Sequence, residues 1–267
     1  MKGGLLLGGG LLLEGFVVEP RMVEIVETSV RINGLPAGLQ GFKICQITDV
    51  HHGGAISLEY IEKVVEEANN LAPDLVVLTG DYIDTGKKYM APAIEALSGL
   101  KAGYGTIAIL GNHDYIHGRK YAEDVIASHG IPLLRNNHMH IEANGSALCV
   151  AGVADLLEDA PDAKEALKGA DPSTPRLLLS HHPDYAEHLP TGERVDLVLS
   201  GHTHGGQVRL PFGLAPVVPS SYGQKYSGGL VRLLSPTQVY VSRGIGVSLI
   251  PVRFNCPPEL TLIKLAA

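Results

Sequence analysis

The chain has no tryptophan, three cysteines and four phenylalanines among its 267 residues, and it contains no block of lysine or arginine. Each scarcity excludes something. Cys45, Cys149 and Cys256 lie far apart, the first two inside apolar runs. They read as buried free thiols of a reducing compartment, not as a disulfide framework or a Cys-rich zinc site. A formal charge of −7 without a basic stripe leaves no electrostatic footprint for a phosphate backbone. A nucleic-acid partner is therefore not expected, and a nuclease is disfavoured. Internal repeats, low-complexity tracts and flexible linkers are also missing. With 45% hydrophobic residues the chain is long enough for one large domain with a full core.

The amino-terminal run from Gly3 to Val18 is apolar apart from Glu14 and is preceded only by Lys2. It is too short and glycine-rich for an ordinary span of about 20 apolar residues, and no Ala-x-Ala site follows. Membrane association is the leading reading for residues 1–19, with an export signal or a packed terminus as alternatives. Residues 20–267 read as one domain.

Periodicity places the elements. Met22 to Ile32, Phe42 to Thr48, Leu75 to Leu78 and Gly105 to Leu110 read as strands, and Ser57 to Asn70 as an amphipathic helix with Leu58, Ile61, Val64, Val65 and Ala68 on one face. Pro92 to Leu100, Tyr121 to His129 and Asp162 to Leu167 are further helices. Strands are expected at Ile131 to Leu134, His138 to Ala143, Leu148 to Val153, Arg176 to Leu179 and Val195 to Leu199. The last third offers Val208 to Leu210, Leu230 to Leu234, Val239 to Ser242 and Leu260 to Leu265, for which a second sheet is the natural home. Alternating strand and helix in the first half argues for βαβ units and a mainly parallel sheet with loops at its carboxyl edge.

That edge collects polar residues. Five strand ends carry Asp49-x-His51, Gly80-Asp81-x-x-Asp84, Gly111-Asn112-His113-Asp114, His181 and Gly201-His202-x-His204. Each is weak alone, since an Asp can cap a turn and a His can be solvated. As an ordered set they resemble the five motifs of the calcineurin-like metallophosphoesterase superfamily. Gly205 to Pro211, Tyr222 to Gly229, Ser242 to Gly246 and Pro251 to Glu259 are similar to one bacterial branch of it. That branch holds membrane-associated phosphodiesterases and, among its relatives, UDP-2,3-diacylglucosamine pyrophosphatases.

The resemblance implies a four-layer α/β/β/α sandwich with a dinuclear metal site at the sheet edge. It implies that Asp49, His51 and His204 hold one divalent ion, that Asn112, His181 and His202 hold the other, and that Asp81 is shared. Oxygen and nitrogen donors without thiolate suit Mn²⁺ first, with Fe, Zn²⁺ or Mg²⁺ as alternatives. Two such ions activate a bridging hydroxide for in-line attack on a phosphodiester or pyrophosphate, so no protein nucleophile is needed. His113 matches the histidine that stabilises the transition state or protonates the leaving oxygen, and Asp84 the carboxylate that orients it.

Superfamily phosphatases commonly place a phosphate-binding arginine after the counterpart of Asp84, whereas Thr85-Gly86 stands here. Lys87, Lys88, Arg209 and Arg243 are candidates for that contact. Strand alternation aims His52 and His182 away from the metals. His117, His129, His138, His140 and His188 read as surface or turn residues, and Asp114 as a support or helix cap. The expected substrate is a phosphate ester, lipid-linked in the leading case and presented at the cytoplasmic face of a membrane, with UDP-2,3-diacylglucosamine the first candidate. A soluble diester and a non-catalytic scaffold on the same fold are the alternatives.

Overall fold

The computed structural model describes residues 14–267, so most of the apolar run from Gly3 to Val18 lies outside the described residues. In chain order the strands are β1 (Glu24–Arg31), β2 (Lys43–Ile47), β3 (Leu75–Thr79), β4 (Thr106–Ile109), β5 (Asn137–Ala143), β6 (Ser146–Gly152), β7 (Arg176–Leu179), β8 (Leu197–Ser200), β9 (Gly229–Arg232), β10 (Gln238–Val241) and β11 (Glu259–Ala266). The helices are α1 (Leu58–Asn70), α2 (Met90–Leu97), α3 (Asn112–Ile116), α4 (Arg119–Ser128) and α5 (Ala163–Ala166). The strands form two sheets, β1-β11-β2-β3-β4 and β5-β6-β7-β8-β10-β9. Within them β2, β3 and β4 run parallel, as do β6, β7, β8 and β10.

These strands are apolar on both faces, because each sheet is covered twice. Ile44, Leu75, Val77, Ile107 and Ile109 of the first sheet meet Leu148, Val150, Leu177, Leu179, Leu197 and Leu199 of the second. The alternate residues Cys45, Ile47, Val76, Leu78 and Ala108 face the helices. On α1 the side chains of Ile61, Val64, Val65 and Ala68 are buried, and Ser57 caps its first turn by accepting from the Tyr60 amide at 3.3 Å. The outer face of the second sheet is covered more thinly, by α5 and a 3₁₀ segment Pro183–His188. The result is the four-layer α/β/β/α arrangement.

Three expectations need correction. Ile131 to Leu134 is not a strand: only Leu133 bridges to Ala108, since Pro132 has no N–H to donate to a ladder. Val208 to Leu210 makes a single bridge with Phe254, between Gln207 in a left-handed conformation and Pro211. Leu260 to Leu265 does not join the second sheet, because β11 lies in the first, parallel to β1 and antiparallel to β2. Periodicity reports that a strand is buried on both faces, not which neighbours bury it.

The loops after β10 are held by a buried arginine. Arg253 is fully buried and donates from Nη2 to the carbonyls of Gly246 (2.6 Å), Arg243 (2.7 Å) and Gly244 (3.0 Å), and from Nη1 to Cys256 (3.0 Å). Those loops in turn bond the end of β2, through Ile245 N–H to the Thr48 carbonyl and Gly246 N–H to the Asp49 carbonyl. Arg253→Met leaves several buried carbonyls unpaired and is expected to lower stability by about 3 kcal/mol or more. The check is the urea midpoint at unchanged slope; a loss below about 1 kcal/mol would mean that the loops hold without the guanidinium.

Candidate metal centre

Five strand ends point at one place. β2 leads to Asp49 and His51, β3 to Asp81, β4 to Asn112 at the first position of α3, β7 to His181, and β8 to His202 and His204. The site thus sits where the carboxyl ends of both sheets meet, as parallel strands require. Asp49, His51, Asp81, His202 and His204 all have φ between 49° and 66°. L-residues adopt this left-handed region only where the surroundings impose it, and strain of this kind gathers at functional sites. Two glycines make the approach feasible. A Cβ on Gly111 would lie 2.3 Å from Asp81 Oδ1, and one on Gly201 would lie 2.1 Å from Asp49 Oδ2.

The donor atoms converge. Asp81 Oδ2 stands 3.5 Å from His51 Nε2 and 3.2 Å from His181 Nε2. Asp49 Oδ1 is 3.2 Å from His204 Nε2, and the Nε2 atoms of His51 and His204 face each other at 3.0 Å. His181 Nδ1 donates to the Thr79 carbonyl at 2.8 Å, which turns Nε2 inward as in ligating histidines generally. Asn112 Oδ1 and His181 Nε2 are buried with no hydrogen-bond partner among the described residues. His202 is anchored by its amide, 3.0 Å from both oxygens of Asp49, and its ring lies 5.2 Å from that of His181.

Electrostatics follow from burial. Burial opposes ionisation of Asp49 and Asp81, but His204 beside the first and His181 beside the second hold both carboxyls below the usual range. His181 is raised because Asp81 outweighs burial. His51 is pushed down to about 3 by burial. His202 is lowered by burial and by the neighbouring His182 and His181. Ionised carboxylates, the lowered imidazoles of His51 and His202 and the unpartnered Asn112 oxygen fit divalent cations, and His181 would give up its proton to ligate one.

Other residues take places that the sequence did not assign. His113 Nδ1 donates to the main-chain carbonyl of Asp84 at 2.9 Å, so that carbonyl, rather than the Asp84 carboxylate, orients the ring. The carboxylate instead lies 3.8 Å from His51 Nδ1. His117 is half-buried in the turn after α3, as expected, and its Nε2 donates to the same Asp84 carbonyl at 3.0 Å. His182 is buried in the centre, with its ring centroid 3.8 Å from that of His202 and its Nε2 3.1 Å from Asp155 Oδ2. Asp155 follows β6, so a sixth strand end was available to the sequence reading. His52 Nδ1 donates to the Ile56 carbonyl at 2.8 Å. Arg243 is engaged by Glu259 at 2.7 Å and Glu24 at 2.8 Å, and Arg209 by the carbonyls of Gly205 and Ser227. Neither is left to bind a phosphate. Lys87 is exposed and lies against Gly118, beside His117.

The calcineurin-like phosphoesterase profile matches residues 42–206, from the start of β2 through the last histidine loop. The chain belongs to that family. It is 36% identical over 267 residues to the uncharacterized metallophosphoesterase YkuE of Bacillus subtilis, covering 98% of this chain and 92% of YkuE. It is 34% identical over 232 residues to the phosphodiesterase YaeI of Escherichia coli, covering 84% of this chain and 82% of YaeI. The fold resembles that of Thermus thermophilus sulfate thiohydrolase SoxB, with a TM-score of 0.54 at 15% identity over 87% of this chain and 57% of SoxB. The protein is therefore a phosphoesterase, the family uses divalent metals, and the strand ends gather residue groups able to hold them.

Asp114 supports the centre from behind. Its carboxylate accepts from the amides of Asp81, Tyr82 and Gly111, each at 2.9 Å, fixing the turn that carries Asp81. Burial and the Asp81 charge push its carboxyl up to about 8, against these amides. Asp114→Ala frees the turn and is expected to weaken divalent-metal affinity roughly 10- to 100-fold. Calorimetric titration of chelator-stripped protein with Mn²⁺ measures this, and unchanged affinity would remove Asp114 from the supporting shell.

Proposed function

We propose that the protein hydrolyses a phosphodiester or pyrophosphate bond with two divalent ions, one held by Asp49, His51 and His204 and the other by Asn112, His181 and His202. The observation that carries this is the placement of Asp81 Oδ2, which faces the Nε2 atoms of both His51 and His181 and so offers one carboxylate to two ions. Bound there, the ions supply an activated nucleophile and neutralise the phosphoryl oxygens. Manganese is the first choice for this oxygen and nitrogen donor set, with Fe, Zn²⁺ and Mg²⁺ behind it. His113 stands edge-on to His51 at 4.7 Å, and with Nδ1 bound to the Asp84 carbonyl its Nε2 is free to stabilise or protonate a leaving oxygen. Lys87, exposed against Gly118 beside His117, and the exposed Lys88 remain the candidates to meet a substrate phosphate.

Chelation should abolish hydrolysis of bis-p-nitrophenyl phosphate, and Mn²⁺ should restore it. Asp81→Asn should lose bound metal and lower kcat/KM on the order of 10³-fold, about 4 kcal/mol of transition-state stabilisation. Activity that survives chelation would sink the mechanism. A chain that binds no metal and turns nothing over would be a scaffold.

A lipid-linked substrate presented at a bilayer is supported by the surface beside the centre. Phe212, Leu214, Val217, Leu249 and Ile250 are exposed, on loops tied to one another through Gln207. Gln207 lies three residues after His204, and the Gly15 carbonyl accepts from the Arg253 amide, so the described chain at Gly15 lies against the segment that follows Ile250. Exposed apolar side chains grouped in this way mark an interaction surface. Among the described residues no helix is long and apolar enough to cross a membrane. UDP-2,3-diacylglucosamine is the leading substrate of this class. Phe212→Asp with Leu249→Asp should weaken binding of the full chain to phospholipid vesicles at least tenfold, about 1.4 kcal/mol, while soluble diester turnover is kept. Equal turnover of acylated and deacylated substrate in mixed micelles would reject the lipid reading.

A further inference from the structure

Away from the strand-end centre, the described residues gather one further cluster of metal-compatible side chains, and it contains a thiol. β5 is the edge strand of the second sheet. Its Met139, Ile141 and Ala143 turn toward the core between the sheets, which leaves His138 and His140 on the outer face. The antiparallel register sets His140 directly opposite Cys149 of β6, and opposed residues project to the same face. The ligating atoms of His138, His140 and Cys149 lie within 4.8 Å of one another.

We propose that His138, His140 and Cys149 form a separate mononuclear site that binds one zinc ion. The first support is the orientation of His138, whose Nδ1 donates to the Ala166 carbonyl at 2.7 Å. That bond fixes the tautomer and leaves Nε2 as the lone pair facing the cluster, the carbonyl–histidine arrangement that orients ligating imidazoles. The second is the donor set: two imidazoles and a thiolate with a fourth position open to water satisfy tetrahedral Zn²⁺. Closing the three atoms onto an ion brings them to about 3.5 Å apart, given Zn–N and Zn–S bonds of about 2.0 and 2.3 Å. His140 is exposed and supplies this movement by rotation.

Burial pushes the Cys149 thiol up to about 11, so zinc displaces its proton to solvent and binding strengthens as pH rises. Two other charges face the cluster. The Asp171 carboxylate lies within electrostatic reach of His140 and offsets the ion. Arg176 lies beside Cys149, and its guanidinium is taken up by Glu193 at 3.1 Å and by the Ala170 carbonyl at 2.7 Å. An edge strand calls for polar side chains to prevent pairing with another sheet, but that demand is met without a thiol in reach of both rings.

The test is a Co²⁺ titration of the chelator-stripped full chain. A near-ultraviolet thiolate-to-cobalt charge-transfer band should grow to the amplitude of one thiolate-bound ion per chain by the time all three proposed positions are filled, and Zn²⁺ should bleach it. The strand-end donors include no thiolate, so the band reports the new site alone. Cys149→Ser and His140→Ala should each abolish it, whereas Cys45→Ser should keep it. Because His140 is exposed and remote from the strand-end centre, His140→Ala should leave diester turnover unchanged while the chain binds one zinc fewer. Absence of the band in the unmodified chain, or its persistence in Cys149→Ser, would overturn the proposal.

Discussion

Two carboxylates, those of Asp49 and Asp81, are buried where the two sheets meet with the raised carboxyl of Asp114 behind them, and the surrounding structure serves to make that arrangement tolerable. The Asp49 and Asp81 oxygens lie within 4.8 Å of each other, and two like charges at that range repel by roughly 3 kcal/mol at an effective dielectric constant of about 20. The repulsion is met locally in two ways. Main-chain amides from Tyr82, Gly111 and His202 point at the carboxylates, which forces the chain through tight turns. Imidazoles crowd the remaining oxygens, which forces left-handed backbone at His51, His202 and His204. A buried carboxylate pair held this way, on a backbone with left-handed residues, is an arrangement that divalent cations would relieve further.

The same constraint decides what could be read from the sequence. Polar residues one to five positions beyond an apolar run share an edge if the runs are parallel strands, so Asp49, His51, Asp81, Asn112, His181, His202 and His204 were legible as neighbours, and the family resemblance singled them out as ligands. The helix α1 was legible for the same reason, since its apolar face repeats at helical spacing. Partners at long range were not. Nothing in the spacing of Leu260 to Leu265 says that β11 inserts between β1 and β2. Nothing in Asp84-Thr85-Gly86 says that a carbonyl holds His113 while the carboxylate turns to His51. His182 was misread because alternation was extended beyond Leu179, where β7 has ended and its rule no longer applies.

Arg253 links the loops to the chemistry. Its guanidinium gathers the carbonyls of Arg243, Gly244 and Gly246, and those residues close over Asp49: a Cβ at Gly244 would come within 2.5 Å of the Asp49 Cβ. On its other side Arg253 receives the incoming chain through the Gly15 carbonyl, while Glu19 accepts from the amides of Asn255 and Cys256. The entry of the amino-terminal segment, the exposed apolar loops and the backbone of a proposed metal ligand therefore share one hydrogen-bonded unit. Displacing the loops strains the turn at Asp49 directly, with no contiguous path through the core required.

Placement of thiols completes the separation between the two proposed metal sites. Cys256 lies close to the strand-end centre, yet its Sγ donates to the His204 carbonyl at 3.4 Å and so addresses the backbone of that histidine, not its imidazole. A thiolate among these ligands would favour softer ions and weaken the Lewis acidity on which phosphoryl transfer depends. Cys149 sits on the far face of the second sheet, where the helical layer is thin and β5 is an open edge, so a softer ion can be held there without competing for the oxygen-rich centre. The two-sheet architecture thus sorts hard and soft donors by position, with carboxylates at the strand ends and the imidazole–thiol group on the flank.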